Sequence, residues 1–293
     1  MFHENIELGT FIQSLLTVNS PLKEDDLRLR KVMERTPSIL RKKDTYGNTP
    51  IHIYVGSSIV DVKFLDRLMQ FDTDIVTLPG RFGRLPLHYA LCRNRGDPQI
   101  IKYLLSINPN GASIRTNGGW IPLHYAVDRN ETCLEVVKTL CEHYPDGPFV
   151  KDFDGKVALH WAIDRQYPIN LEVVRHLVKL NSSAIYLQAS DRIHIHGNLI
   201  TSEWTPMQKS LELGHTEIAR IFMFATPQVR DKNLFFELNW IARRVIIMSV
   251  AHCSATSTVQ SPGKRKRVDT KAAFLRLYQN HFSDLWRVVM SYI

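Results

Sequence analysis

His52, His88, His124 and His160 stand 36 residues apart, three times in succession. Each closes the same short string: Gly47-Asn-Thr-Pro-Ile-His52, Gly83-Arg-Leu-Pro-Leu-His88, Gly119-Trp-Ile-Pro-Leu-His124 and Gly155-Lys-Val-Ala-Leu-His160. A fixed period of this size marks a stack of supersecondary units. One unit cannot bury its apolar face alone, and neighbours close a continuous core between them. Most single-core globular folds are excluded by that regularity. Trp204-Thr-Pro-Met-Gln208 repeats the string after 48 residues, so twelve residues are inserted before it. Pro37, Pro109 and Pro145, multiples of 36 apart, place a partial unit upstream of the first complete string.

The residues at each step carry their own reasons. Proline in the first turn of a helix forfeits no hydrogen bond and has its φ preset. Thr49 and Thr205 precede that proline as N-cap candidates; Leu85, Ile121 and Val157 cannot cap, so those helices need another acceptor. After each histidine come a short apolar run, a polar loop and a second amphipathic helix such as Leu134–Cys141, with apolar residues three and four apart. Gly47, Gly83, Gly119 and Gly155 fall where a tight turn needs positive φ.

The G-x-[T/L/I]-P-L-H-[Y/W]-A core resembles the ankyrin repeat, whose signature T-P-L-H-x-A belongs to a unit of two helices and a β-turn. Thr205-Pro-Met-Gln-Lys-Ser-Leu-Glu-Leu-Gly214-His215 and the run to Phe222 form the closest copy. The family period is about 33 residues, and the surplus here can be located. Thr205 to Ile218 spans 13 residues, whereas Leu85 to Ile100 and Ile121 to Val136 span 15. Two extra residues therefore lie between the helices and one in the finger. The resemblance implies an all-α repeat solenoid, an ankyrin array with short β-hairpin fingers plus C-terminal helices. It also implies that His52, His88, His124 and His160 are structural, bridging neighbouring turns by hydrogen bonds.

On this reading the domains are an N-terminal helical cap and half-repeat over 1–44, with helices at 4–18 and 22–35, and an array of about five repeats over 45–225. Within the array, 190–202 is a finger insertion; Arg192–Thr201 alternates about Gly197-Asn198, the pattern of a lengthened hairpin. A capping helix follows over 226–251, most apolar between Asn233 and Val250. A flexible basic linker over 252–271 and amphipathic helices over 272–293 end the chain. The apolar residues of that last segment must dock on this array or on another protein.

Charge separates the body from the tail. Residues 1–228 hold 26 Lys and Arg against 25 Asp and Glu, while residues 229–293 hold 11 against 4. Ser261-Pro-Gly-Lys-Arg-Lys-Arg-Val-Asp269 concentrates the excess. Lys264, Arg265, Lys266 and Arg267 resemble a monopartite nuclear localisation signal for importin; a solvated charge run and phosphate contact are the competing readings. The expected location is nucleus, cytoplasm or both. No basic, apolar leader opens the chain, and Arg243 and Arg244 split the longest apolar run, so a soluble protein without membrane contact is expected. Cys92, Cys133, Cys141 and Cys253 show no paired metal spacing, and reduced thiols in an intracellular compartment are expected.

No catalytic motif, Walker loop, G-x-S-x-G or H-E-x-x-H string occurs, and the repeats leave little room for a catalytic domain. No enzyme activity, cofactor or metal is expected. His194 and His196 alternate in the inserted finger but lack a third ligand nearby. The finger tips carry one large aromatic each, Tyr46, Phe82, Trp120, Phe153 and Trp204, and aromatics are enriched where proteins bind proteins. Trp120 and Trp204 are expected at the surface. Tyr89, Tyr125 and Trp161, one residue after a repeat histidine, are expected in the core. The function these features imply is a non-enzymatic scaffold that binds a protein partner of unknown identity through the fingers and the concave helix face. A nuclear nucleic-acid-associated protein using its basic tail is the alternative. The near-neutral array makes nucleic acid the less favoured partner.

Overall fold

The computed structural model describes residues 37–57, 60–93, 96–128, 133–164, 169–195 and 198–225. The expected helices at 4–18, 22–35, 233–250 and 272–293, the linker, Cys253 and the basic run Lys264–Arg267 lie outside the described residues. The chain divides into two compact units, Met1–Pro206 and Met207–Ile293.

In the first unit, four helix pairs repeat in register. The inner helices are α1 (Pro50–Val55), α3 (Pro86–Arg93), α5 (Pro122–Val127) and α7 (Ala158–Ile163). The outer ones are α2 (Val62–Met69), α4 (Pro98–Ile107), α6 (Leu134–His143) and α8 (Leu171–Leu180). Each inner helix packs on the next inner helix, and each outer helix on the next outer one. The period seen in the sequence is thus a period of packing. Ile51, Leu87, Leu123 and Leu159, each just before a repeat histidine, are all buried. Outer helices contribute Leu65, Leu68, Ile101, Leu105, Val137, Leu140, Val174 and Leu177 to the same core. Leu123→Ala, in a unit with a neighbour on both sides, is expected to cost about 3 kcal/mol. Chemical denaturation followed by circular dichroism reads that loss; an unchanged midpoint would put Leu123 outside the core.

The capping problem raised by Leu85, Ile121 and Val157 has one answer throughout. The repeat histidine sits at the third helical position, and its Nδ1 accepts the N–H of the residue before the helix. The donors are Thr49, Leu85, Ile121 and Val157, at 3.2, 3.0, 3.2 and 3.3 Å. The ring nitrogen takes the part of the Glu or Gln at N3 of a capping box, which accepts the N–H of the N-cap residue. Outer helices α2, α4 and α8 use conventional caps, Asp61, Asp97 and Asn170.

Between outer and inner helices each chain segment forms a finger closed by the same backbone bond. Asp44 N–H donates to Asn48 O, Gly80 to Arg84, Thr116 to Trp120 and Asp152 to Lys156, at 2.8, 2.8, 2.8 and 2.9 Å. Gly47, Gly83, Gly119 and Gly155 turn these fingers with φ of 86°, 71°, 78° and 78°. Gly80 is required for a different reason: a Cβ there would come within 2.8 Å of His52 Nε2.

The inserted segment is a two-stranded antiparallel ribbon, β1 (Ala189–Ile195) and β2 (Asn198–Trp204). Its register pairs Ile195 with Asn198, so Asn198, expected in the turn, instead opens β2. In the second unit, α9 (Pro206–Glu212) and α10 (Thr216–Ala225) are joined through Gly214 at φ 72°. Among the described residues, no helix is long and apolar enough to cross a membrane.

Candidate functional site

The four repeat histidines are fully buried. Because Nδ1 accepts a backbone N–H, the proton of the neutral ring lies on Nε2, which is free to donate. His52 donates to the Arg84 carbonyl, His124 to Val150 and His160 to Leu187, at 3.0, 3.1 and 2.8 Å. Each ring thereby ties the start of its own helix to the next finger. His88 Nε2 makes no hydrogen bond of good geometry, although the Ile114 carbonyl lies near enough to favour its charged form. Burial holds the imidazoles neutral: it pushes His52 and His124 down to about 4 and His88 to about 3.

The finger aromatics separate into two groups. Tyr46, Phe82 and Phe153 are exposed, at 64%, 53% and 65% of their surface. Trp204 is buried, only 4% exposed, and Trp120 is half-buried. The expectation that both tryptophans lie at the surface is therefore corrected. Trp204 ends β2 opposite Ala189, with its ring 5.1 Å from His160 and Lys156 Nζ 5.3 Å above it. Trp120 packs at 4.2 Å on Trp161 and at 5.0 Å on Tyr125. The physical reason is a register between two columns. The residue after each finger glycine, Asn48, Arg84, Trp120 and Lys156, meets the residue after a repeat histidine, Tyr89, Tyr125 or Trp161.

That register laces the fingers into one ladder. Tyr89 Oη donates to Asn48 Oδ1 at 2.5 Å, and Arg84 Nε donates to Tyr125 Oη at 3.1 Å. Lys156 Nζ lies 4.4 Å over Trp161 and pairs at 3.0 Å with Asp164. Trp161 Nε1 donates to the buried carboxylate of Asp152, which also receives the N–H of Asp154 and Lys156. Burial raises the Asp152 carboxyl, against hydrogen bonds that favour its charge. Tyr89 and Tyr125 are buried and Trp161 half-buried, within the same ladder.

At the second finger the ladder opens. A cleft of about 640 Å³ is bordered by Phe82, Arg84, Asn117, Trp120, Tyr125 and Asp128. Phe82 adopts φ 59° and ψ 26°, the one non-glycine positive φ among the described residues. Asn117 N–H donates to the Phe82 carbonyl at 2.9 Å, which accounts for the direction of that carbonyl. A bulky residue held there costs on the order of 1–3 kcal/mol. The ring gains no burial in exchange. Arg81 and Arg84 carry their guanidinium carbons 4.6 and 5.6 Å from its centre.

Sequence reading did not single out Arg81, Arg84, Asp152 or Lys156. The string Arg81-Phe-Gly-Arg84 was the available signal, two cations around an aromatic in a turn. The basic run Lys264–Arg267 and His196 lie outside the described residues, and His194 pairs with Leu199 in the ribbon. Among the described residues, no group of three or more His, Cys, Asp or Glu side chains is placed to hold a metal ion. Cys133 and the buried Cys141 are free thiols, and burial pushes the Cys141 thiol up to about 12.

A family model of ankyrin repeats, in three copies, matches residues 58–147 and 91–191. Residues 58–191 are ankyrin repeats, part of a helical repeat solenoid that carries a small two-stranded sheet. Such repeats are in general protein–protein interaction modules. No curated protein matches the chain.

Proposed function

We propose that this chain is a non-enzymatic adaptor whose fingers and adjoining inner-helix face bind a protein partner. The observation that carries this reading is the exposure of Tyr46, Phe82 and Phe153 on three fingers that the fold holds rigidly in line. Large aromatics kept in water by a well-packed scaffold are the residues from which interface anchors are drawn. Proximity labelling with the full chain identifies the partner. Changing Tyr46, Phe82 and Phe153 together to Ala is then expected to weaken its binding at least tenfold, since an anchor contributes about 2 kcal/mol or more. The melting midpoint should stay in place. Undiminished binding by the triple variant would move the interface off the fingers.

We further propose that Lys264, Arg265, Lys266 and Arg267 direct the chain to the nucleus. Their support is sequence alone: four consecutive cations after Ser261-Pro-Gly. In a large fluorescent fusion, changing all four to Ala should abolish nuclear enrichment. Ser261→Asp should reduce it, because added negative charge opposes the cluster. Equal nuclear signal for wild type and quadruple variant would leave the run a solvated linker.

A further inference from the structure

Charge is segregated within the repeats. The four finger segments, 41–48, 77–84, 113–120 and 149–156, hold eight Lys and Arg against three Asp. The helical segments between and after them, 49–76, 85–112, 121–148 and 157–186, hold ten against twelve. The finger row is therefore cationic on a slightly acidic body. Some of its cations are already engaged: Arg41 pairs with Asp72 at 2.6 Å and Lys156 with Asp164. Lys43 and Arg115 donate to backbone carbonyls, which neutralise nothing. Arg81 and Arg84 have no carboxylate within ion-pair distance among the described residues; both lie against the Phe82 ring, and Arg84 borders the open cleft.

Resting on the partner-binding reading above, we infer that the Phe82–Trp120 cleft recognises an acidic, extended segment of a partner protein. Its carboxylates lie on Arg81 and Arg84, and one large apolar side chain enters beside Phe82, Trp120 and Tyr125. Guanidinium groups stacked on a ring are held in place, so less side-chain freedom is lost when each forks to a carboxylate. The cleft floor is aromatic and its volume admits one bulky side chain. The strained backbone at Phe82 holds an exposed ring and two arginines at the mouth, a cost that packing does not offset. A single-stranded nucleic acid fits less well. Base stacking needs open ring faces, but Trp120 is covered by Trp161 and Tyr125, and the faces of Phe82 meet arginines.

The test displays random 16-residue peptides against the full chain in which Lys264, Arg265, Lys266 and Arg267 are changed to Ala, so that the tail cannot itself select acidic sequences. Selection should enrich peptides with Asp or Glu flanking a Trp, Phe, Leu or Ile. Fluorescence anisotropy with an enriched peptide should show affinity falling about tenfold or more for Arg81→Glu and for Phe82→Gly. It should also weaken with added salt. Phe82→Gly separates recognition from folding, because glycine accepts φ 59° without strain and its melting midpoint should hold or rise. Enriched peptides without acidic residues, but lost on changing Tyr46, Phe82 and Phe153, would overturn this inference while leaving the finger interface standing. No enrichment, or peptides indifferent to every finger substitution, would overturn both. Binding of a polyuridine oligonucleotide that is lost with Arg81→Glu, in the absence of acidic-peptide binding, would assign the cleft to nucleic acid instead.

Discussion

Acidification from pH 7 to pH 5 is expected to remove most of the stability of the repeat array. His52, His88 and His124 are buried with folded values of about 4, 3 and 4, against about 6.5 in the unfolded chain. Burial is the largest cause, and nearby cations act in the same direction: Lys43 on His52, Arg84 on His88 and Arg115 on His124. The sign follows from where the proton binds. Below pH 6.5 the unfolded chain takes up protons that the folded chain refuses until about pH 4. Stability is therefore fully present above pH 6.5 and is lost as pH falls from there towards 4. At pH 5 each of these histidines costs about 2 kcal/mol, on the order of 6 kcal/mol for the three. That rivals the whole stability of an ordinary domain, about 5–15 kcal/mol. Urea denaturation at pH 7, 6 and 5 measures it directly. A midpoint that stays level over that range would mean that the folded rings take up protons as readily as the unfolded ones, and the caps at Thr49, Leu85 and Ile121 would then be wrong, because a protonated Nδ1 cannot accept a backbone N–H.

Trp204→Ala should destabilise the first unit by about 3–5 kcal/mol, the usual cost of deleting a buried Trp. The ring is 4% exposed and lies against His160 and the Lys156 ammonium. Its loss opens a cavity beside the hydrogen bond from His160 to Leu187, and uncovers a buried cation whose charge it helps to solvate. Thermal melting of the variant reads the effect. Equal melting midpoints would return Trp204 to the surface. Tyr46→Ala serves as the contrast, since 64% of that residue already faces water and little stability should change.

Why one finger aromatic is structural and another exposed shows where sequence reasoning stops. The period, the inner and outer helices and the turning glycines were all legible, because they depend on local rules: φ at Gly47 or Gly119, proline in a first turn, apolar residues three and four apart. The inserted ribbon was legible as well, except that Asn198, expected in its turn, opens β2. The capping histidines were half legible. The resemblance to the ankyrin repeat implied that they are structural, but nothing in the string Ile121-Pro-Leu-His124 says that Nδ1 reaches back to the helix start.

Trp120, Trp204, Arg84 and Lys156 were not legible, and the reason is physical. All four stand beside a finger turn, where a side chain can equally point to water or to the neighbouring finger. The choice depends on residues one repeat away: Tyr125 receives Arg84, Trp161 receives Trp120 and Trp204 covers Lys156, because the stack sets the residue after each finger glycine against the following unit. The period and the helix pairs follow from the sequence by itself, since a repeated amphipathic unit has only its own copy to pack against. Stacking decided which aromatics were consumed in holding that pack together, and which three, with Arg81, were left facing outward, because much of the burial at the fingers is a contact between units.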